Sequence, residues 1–348
     1  MPIELRLSER VECWRIIGKP LEQSFNAFAY EVRFDPGIAP PDHVRAVKRR
    51  LNELEKQTGI PPTEARCFLK QFGNPAYRIA KIGVNPLLKE YSGYQNRILE
   101  AVNSCWRKCS GALFCPELDS FICDDPGKQG YYQVQEYYPD CRSLTECLKN
   151  NSLSWKERVF HAYSMTEALR HLHKAGVIHA DLKPDNFLVL ENRREDDGGR
   201  LADIPTKLKI IDFDSSIFEN EGAPRSKRGT PRYYSPEHID KGTSLIKKSD
   251  VFTTAVILCE LLSPHKGEHG FVPGMPEDGH PFQDEPYADA VRNGKYNLRG
   301  LLSRTSSKRN YVPDITVETI RQALSFNPAC RPTMEDLWSA VHEIPRPW

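Results

Sequence analysis

Two carboxylates, a lysine and an asparagine stand at short spacing in the middle of the chain. Asp181, Lys183 and Asn186 fall within Ile178-His-Ala-Asp-Leu-Lys-Pro-Asp-Asn186, and Asp212 falls within Ile210-Ile-Asp-Phe-Asp214. Phe187 to Leu190 reads as a strand, as does the apolar run into Ile211, so two short strands would bring the four side chains together. That set suits transfer of a phosphoryl group to a hydroxyl, a reaction that needs alignment and charge neutralisation more than covalent help. Singly, each residue is an ordinary turn or cap residue. The joint pattern is what points to chemistry.

That pattern, His179-x-Asp181-x-Lys183-Pro-x-Asn186 followed by Asp212-Phe213, resembles the catalytic loop and metal-binding triplet of eukaryotic-type protein kinases. Gly229-Thr-Pro-Arg-Tyr-Tyr-Ser-Pro-Glu237 is similar to the segment that closes their activation loop, with Ser235 at the usual alanine. Asn327-Pro-Ala-Cys-Arg331 is similar to their C-terminal arginine motif, and the resemblance runs from Trp14 to Val341.

The resemblance implies a division of labour. Asp181 would orient the acceptor hydroxyl and take its proton, and Lys183 would neutralise charge on the transferring group. Asn186 and Asp212 would hold magnesium, whose preference for hard oxygen donors suits them. Thr230 would bond to Asp181 and Lys183 and position a peptide acceptor; with Lys183 it favours serine or threonine over tyrosine. Glu237 would pair with Arg331. Asp250, opening the apolar run Val251 to Leu262, would bond the catalytic-loop backbone, cap its own helix, or both.

On the nucleotide side, Lys70 in Cys67-Phe-Leu-Lys70 is the implied contact to the α- and β-phosphates, with Lys81 as the alternative. Gln95, in Gln95-Asn-Arg-Ile-Leu99, stands where the family carries the glutamate that pairs with this lysine; Glu90 is the alternative. Gln135, Glu136 and Tyr137 would line the adenine pocket, and Ser24 and Phe25 would form the tip of the loop over the phosphates.

Several positions depart from the family pattern. Leu21-Glu-Gln-Ser-Phe-Asn26 lacks the three glycines that let a backbone approach phosphate. Phe68 stands where a small residue usually meets adenine. Ala180 replaces an arginine that commonly pairs with an activation-loop phosphate, which implies activity without obligatory phosphorylation at Ser226 or Thr230. Asp214 replaces a glycine, restricting the backbone and adding a carboxylate near the metals, so manganese is expected to be tolerated or preferred.

The elements that must position these residues follow from periodicity. Val11 to Phe34 suggests two strands, Ala65 to Phe72 a third and Tyr131 to Tyr137 a further one; Pro86 to Val102 and Ser154 to Lys174 read as helices. The expected fold class is α+β, a bilobal protein kinase fold with a small antiparallel sheet and one main helix, then a larger helical lobe. The expected domain is 11–345, with an N-lobe 11–137, a helical insert 36–62 and a C-lobe 138–345. Within the insert, Asp42 to Gln57 carries Val44, Val47, Leu51 and Leu54 on one face and Arg45, Lys48, Arg49, Arg50 and Lys56 on the other. That helix either packs on the sheet with a solvated face or also docks an acidic partner. Arg193 to Asp203 reads as a long hairpin loop.

A net charge of +1 over 348 residues gives no global field for nucleic acid or an anionic membrane. No apolar run is long enough to span a bilayer, no signal pattern opens the chain, and a cytoplasmic protein with reduced cysteines is expected. Cys105, Cys109, Cys115 and Cys123 cluster without a C-x-x-C pair and read as packing residues rather than a zinc site. The leading functional expectation is an ATP-dependent serine/threonine protein kinase using Mg2+. A pseudokinase scaffold and a small-molecule kinase are the alternatives, the latter disfavoured by Gly229–Glu237 and Arg331.

Overall fold

The computed structural model describes residues 10–17, 22–23, 27–35, 37, 40–62, 64–72, 86–109, 113–123, 130–190, 207–219, 221, 233–239, 243–262 and 311–346. They fall into two units, one within residues 1–111 and 115–139, the other within 112–114 and 140–348. Ser24, Phe25, Lys81, the 193–203 excursion, Ser226 and Thr230 lie outside the described residues.

Among the described residues the first unit is an antiparallel sheet with two helices. Its strands are β1 (Arg10–Val11), β2 (Trp14–Ile16), β3 (Glu22–Gln23) and β4 (Ala27–Phe34), then, after helix α1 (Pro41–Thr58), β5 (Cys67–Phe72). Helix α2 (Pro86–Lys108) precedes β6 (Glu117–Cys123) and β7 (Gly130–Glu136). The sheet order is β1-β2-β4-β5-β7-β6, with β3 paired to β4.

Period-two alternation decides what each strand presents. Cys67 and Leu69 are fully buried, whereas Phe68 and Lys70 are half-buried. Lys70 stands in register with Ala29 on one side and Gln133 on the other. Directly opposed residues share a face, so Lys70 and Gln133 lie together.

Helix α1 buries Val47, Leu51 and Leu54 at helical spacing and leaves Lys48, Arg49 and Lys56 exposed. A buried leucine or valine contributes about 1.5–3 kcal/mol, so this one face suffices to hold the helix to its unit. Proline at the first helical position starts it, and Gly59 ends it at φ 74, donating its N–H to the Glu55 carbonyl at 2.7 Å.

Two features differ from the expectation. Among its described residues the segment read as two strands contains four, in part because Glu12 takes φ 52 and folds Arg10 to Ile16 into its own hairpin. Strand β6 was not visible in sequence, since a register shift between Glu117 and Asp119 breaks its alternation. Cys105, Cys115 and Cys123 are buried and Cys109 half-buried; among the described residues these four do not gather as a ligand group.

The second unit begins with β8 (Cys141–Ser143), α3 (Leu144–Lys149) and α4 (Trp155–Lys174), then β9 (Val177–Ile178), β10 (Phe187–Leu190), β11 (Lys207–Ile210) and β12 (Ile217–Phe218). Among the described residues four helices follow: α5 (Pro236–Ile239), α6 (Lys247–Leu262), α7 (Asp314–Ala323) and α8 (Met334–His342). Strands order as β11-β10-β8, and β12 pairs with β9. Capping boxes, Ser154 with Glu157 and Thr333 with Asp336, start α4 and α8. Every residue of α6 from Ser249 to Leu262 is buried, including the polar Asp250, Thr253, Thr254 and Glu260. No helix among the described residues is long and apolar enough to cross a membrane.

Candidate active site

The polar set singled out by spacing assembles in the second unit. Val177–Ile178 pairs with Ile217–Phe218, and Phe187–Leu190 pairs with Lys207–Ile210, so two short antiparallel ladders bracket residues 179–186 and 211–216. Pro184–Asn186 forms a 3₁₀ turn, with the Asn186 N–H on the Lys183 carbonyl at 3.0 Å. The Ile211 N–H donates to the Asn186 carbonyl at 3.0 Å, which seats Asp212 beside that turn.

Lys183 Nζ lies 3.5 Å from Asp181 Oδ2, with both side chains mostly enclosed. Asn186 is buried and its Nδ2 donates to the Asp181 carbonyl at 2.7 Å. That commitment fixes the amide orientation and leaves Oδ1 as the atom that would face a cation. An amide oxygen plus the Asp212 carboxylate forms a hard-oxygen pair, so the residues present fit magnesium. Ala180 and Asp212 sit at φ 67 and 66, left-handed positions that L residues adopt at a cost of about 1–3 kcal/mol and that concentrate at functional sites. Asp214 is not among the described residues at positive φ, so its side chain is carried there without that strain.

This strained loop is tied down from below. Asp250 Oδ2 accepts the His179 N–H at 2.8 Å and Oδ1 accepts the Ala180 N–H at 3.1 Å, while His173 Nε2 lies 2.9 Å from Oδ2. Burial pushes the Asp250 carboxyl upward, but the His173 hydrogen bond and the two histidines' charge outweigh it and hold it below the usual range. Helix α6 starts at Lys247, so Asp250 lies inside the first turn rather than at its cap. His179 bonds the Ile211 carbonyl at 3.2 Å and packs on Phe213, which stacks on Phe114 at 6.4 Å.

A second anchor was not visible in sequence. His238 Nδ1 accepts the Ser235 N–H at 3.1 Å, which leaves Nε2–H to donate to the Ala180 carbonyl at 3.0 Å. Ser235 Oγ adds a contact at 2.8 Å, and Tyr234 stacks on the ring at 4.9 Å. Burial pushes His238 below the ordinary histidine value, so the ring works neutral, against a smaller upward pull from the Ala180 bond. No local signal marks it, since His238 simply follows Glu237 in the four-residue helix α5. Next to it, Arg331 grips Glu237 with Nη1 on Oε2 at 2.9 Å and Nη2 on Oε1 at 2.8 Å. Burial raises the Glu237 carboxyl, yet the Arg331 bonds and charge, with Ser235 and Ser249, hold it below the usual range.

The remaining predicted positions belong to the first unit. Lys70 is half-buried on the β5 face it shares with Gln133 and Tyr131; Tyr131 Oη donates to Asn96 Oδ1 of α2 at 3.0 Å. Gln95, next to Asn96, is buried, whereas Glu90 is exposed. Phe68 stacks on Tyr137 at 6.2 Å, and Arg66 lies over the same Tyr137 ring. The Tyr137 N–H donates to the Arg66 carbonyl at 3.1 Å, and Glu136 accepts from Tyr138 Oη. Gln135 stands in register with Phe68.

Residues 118–341 match the family model of the protein kinase domain. The ovarian-specific serine/threonine-protein kinase Lok of Drosophila melanogaster is 29% identical over 219 residues, covering 62% of this chain and 40% of its own length. The serine/threonine-protein kinase nekl-2 of Caenorhabditis elegans is 28% identical over 230 residues, covering 64% of this chain and 60% of its own length. The TGF-beta receptor type-2 of Gallus gallus is 25% identical over 287 residues, 78% of this chain and 49% of that protein. The chain thus spans roughly half the length of these curated relatives. It belongs to the eukaryotic-type protein kinase superfamily, and its α+β architecture is the bilobal kinase fold.

Proposed function

We propose that the chain is an active serine/threonine protein kinase that transfers the γ-phosphoryl group of ATP to a protein hydroxyl. The observation that carries this reading is the joint placement of Asp181, Lys183, Asn186 and Asp212 on one braced loop pair, with the Lys183 ammonium 3.5 Å from the Asp181 carboxylate. Asp181 orients the acceptor hydroxyl and takes its proton, Lys183 offsets charge on the transferring group, and Thr230 helps to position the acceptor. Asn186 and Asp212 would hold Mg2+, or Mn2+, which would neutralise phosphate charge when bound. Lys70 engages the α- and β-phosphates, oriented by buried Gln95, while Gln135, Glu136 and Tyr137 meet the adenine and Ser24 and Phe25 cover the phosphates. The domain occupies 11–345, with lobes 11–137 and 138–345, and works in the cytoplasm. An acidic partner docks on the exposed basic face of α1.

Incubating the chain with labelled ATP on a degenerate peptide array tests the specificity. Label on serine and threonine peptides is expected; label confined to tyrosine peptides, or none, overturns the assignment. One observation favours a second reading, a scaffold with weak turnover. Gln95 is buried where the family carries a charged glutamate and can only donate or accept hydrogen bonds.

A further inference from the structure

The first unit contains a cluster of metal-binding side chains that the phosphotransfer chemistry does not use. Cys13 comes from the β1–β2 turn, His43 from the start of α1 and Asp119 from β6; their ligand atoms all lie within 4.8 Å of one another. We propose that Cys13 Sγ, His43 Nε2 and Asp119 Oδ1 form a zinc site that staples the helical insert to the sheet.

The donor set is chemically matched to that ion. Zinc takes sulfur, imidazole nitrogen and carboxylate oxygen in tetrahedral array, and one thiolate plus one carboxylate would bring a buried Zn2+ to neutrality. With Zn–N about 2.0 Å and Zn–S about 2.3 Å, tetrahedral ligand atoms stand about 3.3–3.8 Å apart. Cys13 Sγ is already 3.8 Å from Asp119 Oδ2, and His43 Nε2 is 2.9 Å from both carboxylate oxygens. The His43 to Asp119 separation has to open by about half an ångström to match a coordination sphere, and Cys13 Sγ already lies within 4.8 Å of both partners' ligand atoms.

The supporting contacts are those that orient zinc ligands. Trp14 Nε1 donates to Asp119 Oδ2 at 2.6 Å, locking the carboxylate and reserving Oδ1. Glu12 Oε2 lies 3.7 Å from His43 Nδ1, behind the ring, so that Nε2 points inward. A carboxylate behind a ligating histidine is the usual way its tautomer is set. Glu12 reaches that place through its φ of 52, a strained backbone for a glutamate and a residue earlier than the thiol it helps to present. Cys13 and Asp119 are buried, while the half-buried edge of His43 leaves the fourth position to water.

Coordination replaces the Cys13 thiol proton and the Nε2 proton that His43 shares with Asp119, and both leave to solvent. Without metal, burial and the Asp119 charge push the Cys13 thiol up, so it stays protonated, and the Asp119 hydrogen bond raises His43 against its burial.

Cobalt titration of the chelator-stripped full chain tests the site. One equivalent should produce tetrahedral ligand-field bands together with a thiolate-to-cobalt charge-transfer band, both lost on adding zinc. Cys13→Ser should remove the charge-transfer band while Cys105→Ser keeps it, and Glu12→Gln should weaken affinity about 10–100-fold. Charge transfer that persists in Cys13→Ser overturns the proposal. A second measurement needs no variant: zinc should raise, and chelator lower, the melting temperature of the native chain. No cobalt band and no metal-dependent melting shift would also overturn it.

Discussion

Arg331→Met is the perturbation whose magnitude the structure constrains most tightly. The guanidinium is completely enclosed and donates to both oxygens of Glu237, and also to the carbonyls of Ser325 at 2.7 Å, Lys248 at 2.8 Å and Phe326 at 3.0 Å. Methionine fills much of the volume but strands a buried carboxylate, a loss worth about 3–5 kcal/mol. The three carbonyls that lose their donor place the expected value at the upper end of that range. Glu237→Gln should be milder, about 1–3 kcal/mol, because Arg331 keeps its carbonyls and gains a neutral acceptor. The pH dependence separates this account from simple cavity formation. In the native chain the Glu237 carboxyl is held low by Arg331, so its contribution is complete above the unfolded value of about 4.3 and is lost as pH falls through the lower folded value. In Arg331→Met only burial remains as the main influence, and the carboxyl moves above the unfolded value. The deficit relative to native should therefore be largest near neutral pH and shrink on acidification. Urea unfolding of both chains at about pH 7 and about pH 5 reads this directly. A deficit under about 1 kcal/mol, or one that grows with acid, refutes the reasoning. Glu237→Leu combined with Arg331→Met should recover much of the loss, since removing both charges leaves no orphan.

Other outcomes follow from the same geometry. His238→Leu removes the donor to the Ala180 carbonyl, so stability should fall by about 1–3 kcal/mol and turnover should fall more than peptide KM changes; unaltered turnover in a folded variant would count against the anchor. Asp214→Gly should erase any advantage of manganese over magnesium at matched free metal, and equal or better magnesium turnover in the native chain would contradict the role given to that carboxylate. Because Ala180 supplies no guanidinium, phosphatase-treated enzyme and Ser226→Ala should retain activity; a strict need for phosphate would be the contrary result.

Local sequence carried the site where its residues are contiguous. Asp181, Lys183, Asn186 and Asp212 sit on turns between short strands whose apolar runs are easy to read, and the structure brackets them by two ladders. The Glu237 to Arg331 pair was also legible, because each partner lies in its own recognisable segment. Strand β6 was hidden by a bulge that breaks alternation, and with it the convergence of Asp119 on Cys13 and His43. Cysteine spacing drew attention to residues 105–123, whereas the ligand-type side chains that meet come from three distant segments. His238 was missed because nothing local distinguishes a histidine that bonds a carbonyl 58 residues earlier from one that faces solvent.

Phosphotransfer is proposed to rest on the loop that holds Asp181. It is tested most directly by labelled γ-phosphate incorporation into a mixed peptide substrate, with native chain and Asp181→Ala purified in parallel. The native chain should show clear incorporation and the variant a loss of at least about 100-fold, the scale of a missing general base. Equal signals from the two preparations, or none from either, would contradict it.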